Sequence, residues 1–289
     1  LDRDRERAIE QINPEGRSEL QIDRLISERY PNIERWSVYP DFVNPFATYL
    51  HGLYFLLAPA DEFDWGSRAS RALRRSVGMV PNNAYLREDL RLVEQLINGT
   101  LNFAEVPPTT WVFVENGLGP TMRSQTIPIP IPLEAGTIYL PLAIPLFDDG
   151  QDAVAGIEVR SGKEAATTAE LVNFNAVIGA EFEKRLPAIL GRAVASAIIK
   201  GAAQYLALES GNQFAFIATQ ATAIATAQAD TRMWTTLPNS VELARLRAEP
   251  GTTLQLAGRG GVSLGSVTLG PERFHWVLVR LLRAGQAPQ

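Results

Sequence analysis

The chain has 289 residues, 46% hydrophobic and 20% charged, with a net charge of −5 and no cysteine. Such a composition fits one large or two medium domains with a real core, and it excludes disorder of the whole chain, disulfides, thiol catalysis and thiolate metal sites. Basic residues are scattered among acidic ones, so the positive field that nucleic-acid binding requires is missing.

Residues 1–11 are a charged segment (Asp2, Arg3, Asp4, Arg5, Glu6, Arg7) that reads as the exposed tail of a helix begun upstream. Leu1 is not a start methionine, so the chain reads as processed or truncated, and any signal peptide or lipid-bearing residue would lie upstream. Leu20, Ile22, Leu25 and Ile26 then predict a short amphipathic helix closed by Tyr30-Pro31, since proline disfavours helical geometry in the residue before it. From Asn44-Pro45 the spacing of Phe46, Tyr49, Leu50, Leu53, Tyr54 and Leu57 predicts another, with Gly52 placed for a close helix approach. A break at Pro59 precedes a helix over 64–80, with Ala69, Ala72, Leu73 and Val77 inward. Pro81-Asn82-Asn83 closes it. A third helix over 84–98 puts Leu86, Leu90, Val93, Leu96 and Ile97 on one face.

Near residue 105 the period changes. Beyond Pro107-Pro108 the runs 110–115, 125–131, 137–146, 154–160 and 168–174 have strand lengths and strand alternation. Pro128, Pro130 and Pro132 cannot donate to a ladder, so theirs is an edge strand or a polyproline-like excursion, with Ile127, Ile129 and Ile131 on the other face. Helical spacing returns at Gly179, where Phe182, Leu186, Leu190, Val194, Ala197 and Tyr205 form a broad stripe. Gly211-Asn212 offers a turn before an Ala- and Thr-rich stretch over 214–228. Strands resume at 241–246, 252–256, 262–269 and 274–282. The expected fold class is α+β, with a helical region over 1–105 and a β-rich, antiparallel, sandwich-like domain over 106–289 that carries a helical insertion at about 178–228.

Chemical motifs are thin. His51 and His275 are the only histidines, and neither has carboxylates at metal-ligand spacing, so both read as packing or surface residues. The run Asp148-Asp149-Gly150-Gln151-Asp152 resembles a calcium loop only in passing, because its twelfth position is Val159 where a bidentate glutamate is needed. It reads as an acidic turn. The glycines of 116–120 and 258–261 lack the Lys-Ser/Thr and following helix of a phosphate loop and read as turns. No Gly-x-Ser-x-Gly elbow occurs, while a pair of carboxylates brought together by the fold stays open. Residues 188–208 are the nearest approach to a membrane segment, but Arg192 and Lys200 interrupt it, which favours a buried core helix.

Two resemblances follow. Leu50-His51-Gly52-Leu53-Tyr54-Phe55, Arg71-Ala72-Leu73 and Pro81-Asn82 fall where the tetratricopeptide repeat carries its signature. One such repeat cannot bury its own apolar face and needs neighbours. The stretch from Thr110 and Trp111 through Glu115, Gly117 and Pro120, the run Leu186-Pro187-Ala188-Ile189-Leu190-Gly191-Arg192 ahead of Lys200, and Asp230, Arg232, Trp234 and Pro238 resemble an uncharacterised family of bacterial outer-membrane lipoproteins. That family pairs a tetratricopeptide-like N-terminal half with a β-rich C-terminal half. The resemblance implies export to the periplasm or cell surface and tethering to the outer membrane through an upstream lipidated cysteine. It carries no activity, so its signature residues transfer as structural positions. Asp230 and Arg232 are expected to pin a helix-to-strand corner, with Trp234 as an aromatic plug.

The sequence therefore predicts a non-enzymatic envelope protein without a cofactor or metal, a scaffold or accessory subunit that meets protein partners in a membrane-associated complex. The alternative is a structural subunit of a cell-surface homo-oligomer or filament, built from copies of itself. A hydrolase using a carboxylate pair is a third reading.

Overall fold

In the computed structural model, backbone pairing sorts ten strands among the described residues into three sheets, and the fold is α+β, with 43% helix and 32% strand. The structure describes residues 2–12, 24, 26–30, 43–57, 64–134 and 136–283. Chain contacts divide it into two units that interleave along the sequence. One takes residues 1–36, 121–148 and 181–234, and the other takes 37–120, 149–180 and 235–289. This differs from the sequential division at residue 105, because strands after the change of period return to pair with partners far along the chain.

The second unit, here the sheet unit, contains helices α2 (Pro45–Leu57), α3 (Trp65–Met79) and α4 (Ala84–Ile97). Asparagines open two of them. Asn44 Oδ1 accepts the Phe46 N–H at 2.9 Å, and Asn83 Oδ1 accepts the Tyr85 N–H at 3.0 Å, satisfying donors that a helix start leaves orphaned. The expected close approach at Gly52 is present: a Cβ there would lie 2.8 Å from Leu73 Cγ. On α4 the buried stripe is Leu86, Asp89, Leu92 and Val93, whereas Ile97, expected inward, is 48% exposed.

These helices cover one face of a sheet formed by β1 (Thr109–Asn116), β6 (Ala169–Asn173), β7 (Ser240–Arg247) and β10 (Phe274–Leu281), in the order β10-β1-β7-β6. Strand β10 runs parallel to β1 and the other neighbours are antiparallel. Side chains alternate across the pleat. Trp111, Phe113, Leu171 and Leu243 therefore pack under Tyr49, Leu53, Leu73 and Val93, while Val112, Val114, Ala244, Leu246 and Val279 face a second sheet. That sheet has the order β5-β4-β8-β9, from β4 (Glu158–Ser161), β5 (Glu164–Thr167), β8 (Thr253–Gly258) and β9 (Val262–Thr268). The strand expected over 154–160 is thus the short β4, paired at once with β5.

The other unit is built on a long hairpin, β2 (Thr121–Leu133) with β3 (Gly136–Asp148), plus α1 (Asp2–Ile12), most of α5 (Phe174–Glu209) and α6 (Gln213–Ala225). Helix α1 is not merely an exposed tail: Ala8 is fully buried in this core and Ile9 packs beside it. Of the next expected helix, residues 24 and 26–29 are helical, and the rest lies outside the described residues.

The proline strand follows its expected facing, with Ile127, Ile129 and Ile131 packing with Ile138, Leu142, Phe182 and Leu186 while Pro128, Pro130 and Pro132 are exposed. Pro128 stands directly opposite Pro141. Neither can donate, which makes this a non-hydrogen-bonded pair and turns the positions of the missing donors to the two outer edges. On the β3 edge the outward backbone of Tyr139 is closed by the buried Gln204 amide, which accepts from the Tyr139 N–H at 3.2 Å and donates to its C=O at 2.9 Å.

Helix α5 begins at Phe174, earlier than the expected Gly179, and passes through Pro187 without ending. It is a core helix on one face only. Phe182, Leu186, Leu190, Val194 and Ala197 are buried, but just 33% of its most apolar 18-residue window is buried, and Ala188, Arg192, Ala195, Ile199 and Ala203 are exposed. By length and composition it could cross a membrane.

Candidate interaction surfaces

Two networks of polar side chains lie inside the sheet unit, each bonded chiefly within the fold. Beneath the helices, Asp89 is fully buried and accepts three hydrogen bonds: Tyr49 Oη at 2.5 Å, Trp111 Nε1 at 2.9 Å and Arg245 Nε at 2.8 Å. Arg245 also reaches Glu88 at 3.1 Å and lies over the Trp111 ring at 5.7 Å. Burial raises the Asp89 carboxyl above its ordinary value against the opposing pull of Arg245 and of the Tyr49 and Trp111 donors. The same burial, followed by the Asp89 charge, holds Tyr49 well above the usual phenol range. Both carboxylate oxygens are engaged by the fold, so the cluster fastens α2 and α4 to β1 and β7.

The second cluster knits the loop after β3 to the end of β1. Asn116 Oδ1 accepts from the Ala153 and Val154 N–H groups at 2.9 and 3.1 Å, and its Nδ2 donates to Val154 O and Glu242 Oε1 at 2.6 and 2.8 Å. Asp152 accepts from Asn239 and Ser240, each at 2.7 Å. Gly117 has φ +76°, and a Cβ there would stand 1.9 Å from Gln151 O, so only glycine fits. The acidic run is the turn the sequence predicts. Glu170 and Glu242 stand opposite one another across β6 and β7, but both Glu242 oxygens are engaged, by Asn116 and by Thr168 Oγ1. Among the described residues no group of three or more His, Asp or Glu is placed to hold a metal ion.

The signature residues divide by environment. Trp111 and Leu186 are fully buried, and Gly117, Pro120 and Pro238 are also buried. Glu115 pairs with Arg280 at 3.4 Å. Pro187 and Arg192 are exposed and Lys200 is half-buried. Asp230 and Arg232 do pair, at 2.7 Å, and that pairing lowers the Asp230 carboxyl to about 2. Yet their side chains are 62% and 90% exposed and Trp234 is 71% exposed, so the expected aromatic plug is absent and the ion pair is screened by water. His51 is exposed and stands edge-on to Phe55. His275 is largely buried, and neither ring nitrogen has a hydrogen-bond partner; Glu272 lies 3.8 Å away.

What remains unfilled is apolar surface. Helix α6 carries no charged residue, and Phe214, Ile217 and Ile224 are 84%, 63% and 50% exposed. With Ala221 between them, these positions fall within an arc of about 80° at 100° per residue. The helix is fixed by Asn212, whose Oδ1 accepts the Ala215 N–H at 3.0 Å, and its opposite side buries Ala223 and packs Phe216 into the hairpin core. The Ala- and Thr-rich composition of 214–228 does not say which side faces water. The signal was there in the lack of any Asp, Glu, Lys or Arg over 213–225. On the sheet unit a groove of about 450 Å³ is lined by Asp64, Ser67, Ser70, Arg71 and Ile97.

No protein-family profile, curated protein or solved structure matches the chain.

Proposed function

We propose that this chain is a non-enzymatic, exported protein of the cell envelope, a scaffold or accessory subunit that works by docking other proteins. The observation that carries this reading is the α6 stripe of Phe214, Ile217 and Ile224: large apolar side chains at the spacing by which an amphipathic helix enters a partner's groove, on a helix without a charge to keep it in water. The polar clusters favour the same reading, because their carboxylates are consumed in holding the fold. The tetratricopeptide-like character of α2 and α3 and an outer-membrane lipid anchor upstream of residue 1 belong to this proposal on the strength of the sequence resemblance.

The test is co-purification from native membranes with mass spectrometry, comparing the unaltered chain with Phe214→Asp/Ile217→Asp. Partners held by the first and lost by the second, with circular dichroism unchanged, support the proposal. Recovery of the unaltered chain from the soluble cytosol without partners, or the same partners on both, overturns it. The alternative, a subunit built from copies of itself, is favoured by a different feature, the open edge of β10.

A further inference from the structure

Strand β10 forms one edge of the main sheet, and among the described residues it is the edge without protection. Natural sheets blunt their margins with proline, charge, bulges, short strands or a covering side chain, and the other edges of this molecule do so. Strand β2 presents Pro128, Pro130 and Pro132. The β3 edge is closed by Gln204 at Tyr139, by Pro141, and by Tyr30, whose hydroxyl donates to Pro145 O at 2.5 Å. Asn83 Nδ2 donates to the Ala169 and Glu170 carbonyls of β6. Strand β5 has four residues, and β9 is kinked where its register with β8 shifts. Strand β10 has eight residues, Phe-His-Trp-Val-Leu-Val-Arg-Leu, with no proline, lysine or acid among them. Among the described elements only β1 runs along it.

The free backbone groups can be assigned. Arg273 O accepts from the Thr109 N–H and Leu281 O from the Gly117 N–H, at the two ends of an unbroken parallel register. Odd-numbered residues therefore bond to β1, and the N–H and C=O groups of Phe274, Trp276, Leu278 and Arg280 point outward. Trp276 and Leu278 are also 46% and 60% exposed. Donors, acceptors and apolar side chains thus lie together along one open margin.

We infer that β10 pairs antiparallel with β10 of a second copy about a two-fold axis at Val277, joining two main sheets into one of eight strands. The strand is self-complementary in that register. Trp276 comes opposite the second copy's Leu278, an aromatic–aliphatic pair of the kind that stabilises sheets, and Phe274 comes opposite Arg280. No like charges meet, because Arg280 is the sole Asp, Glu, Lys or Arg residue in the strand and is already neutralised by Glu115. This assignment stands apart from the α6 stripe and does not depend on it.

The register makes a sharp test possible. Val277 would face its own copy as a non-hydrogen-bonded pair, with Cα atoms about 4.5 Å apart, within disulfide reach. The chain has no cysteine of its own, so Val277→Cys should cross-link under mild oxidation although Val277 is half-buried, whereas Val262→Cys, at a β9 position 63% exposed to oxidant, should not. Sedimentation equilibrium of the unaltered full chain should give twice 31.7 kDa. Trp276→Lys/Leu278→Lys, which sets lysines opposite each other, should weaken the dimer by roughly 100-fold. Single-copy mass up to about 100 μM, a range in which weak edge pairs assemble, overturns the inference, as does Val277→Cys cross-linking no faster than Val262→Cys, or a dimer that survives both lysines. A single-copy chain that instead loses an envelope partner on lysine substitution also overturns it. Because α6 is untouched in these variants, failure of the proposed docking function and failure of this inference are told apart.

Discussion

Asp89→Ala tests the reasoning about the buried network most directly. Asp89 is 0% exposed and is the common acceptor for Tyr49, Trp111 and Arg245. Truncation leaves a phenol, an indole N–H and a guanidinium without their acceptor beneath the helices. Removing one partner of a buried ion pair costs about 3–5 kcal/mol, because the stranded charge keeps its desolvation penalty. Against a total stability of about 5–15 kcal/mol that is a large fraction. At about 2–4 °C per kcal/mol for a domain of this size class, the midpoint should fall by about 6–20 °C. The variant Asp89→Leu/Arg245→Met/Tyr49→Phe removes all but the Trp111 donor and should be less destabilised than Asp89→Ala alone, since a network loses most when half dismantled. Thermal and urea unfolding followed by tryptophan fluorescence measure both, with Trp111 as a reporter inside the site. If Asp89→Ala melts within about 2 °C of the parent, or the triple variant is the less stable, the account of the network is wrong.

Three further outcomes are expected. Gly52→Val should lower the melting midpoint by several degrees, because even a Cβ would stand 2.8 Å from Leu73 Cγ and 3.1 Å from the Leu73 backbone nitrogen; an unchanged midpoint would mean that α2 and α3 can separate freely. Thr110→Val should stabilise by about 1 kcal/mol in urea titrations, because the Thr110 hydroxyl is buried without a partner and its loss relieves an unpaid desolvation; a loss of stability contradicts this. Burial holds the Tyr30 phenol up to about 12, above its ordinary 10.0. A raised folded value contributes stability that is whole below pH 10 and fades as pH climbs toward 12, so a midpoint-versus-pH series should fall in that window, and Tyr30→Phe should flatten the fall. Equal alkaline slopes in both proteins would count against it.

Element types were legible where the apolar period was long. The helices over 45–57, 65–79 and 84–97 and the strands over 109–116, 240–247 and 274–281 lie close to where spacing predicts them. The prolines of β2 announced an edge, which needs only the missing donor to be argued. The division into units was not legible. It depends on β1 choosing β7 and β10 as neighbours, and pairing across more than a hundred residues leaves no local trace. The stripe on α4 misled for a related reason: Asp89 sits between Leu86 and Val93 at helical spacing, but an acid on an apolar face looks like an error until Arg245 and Trp111 arrive from elsewhere. Asp230 and Arg232 showed the converse. Their pairing was readable at two residues' separation, while the exposure of Trp234 depended on what the remainder of the chain leaves uncovered.

The parallel seam between β1 and β10 has a consequence for how the molecule comes to exist. Residues 109–116 have no strand partner on either side until residues 240–247 and 274–281 are available, so a growing polypeptide carries the β1 backbone unpaired, with Val112 and Val114 waiting for the second sheet, through much of its synthesis. Long-range closure of this kind is slow and leaves nascent chains prone to clumping. Maturation of this protein should depend on holding factors that shield the unfinished β1 segment until residue 281 has emerged.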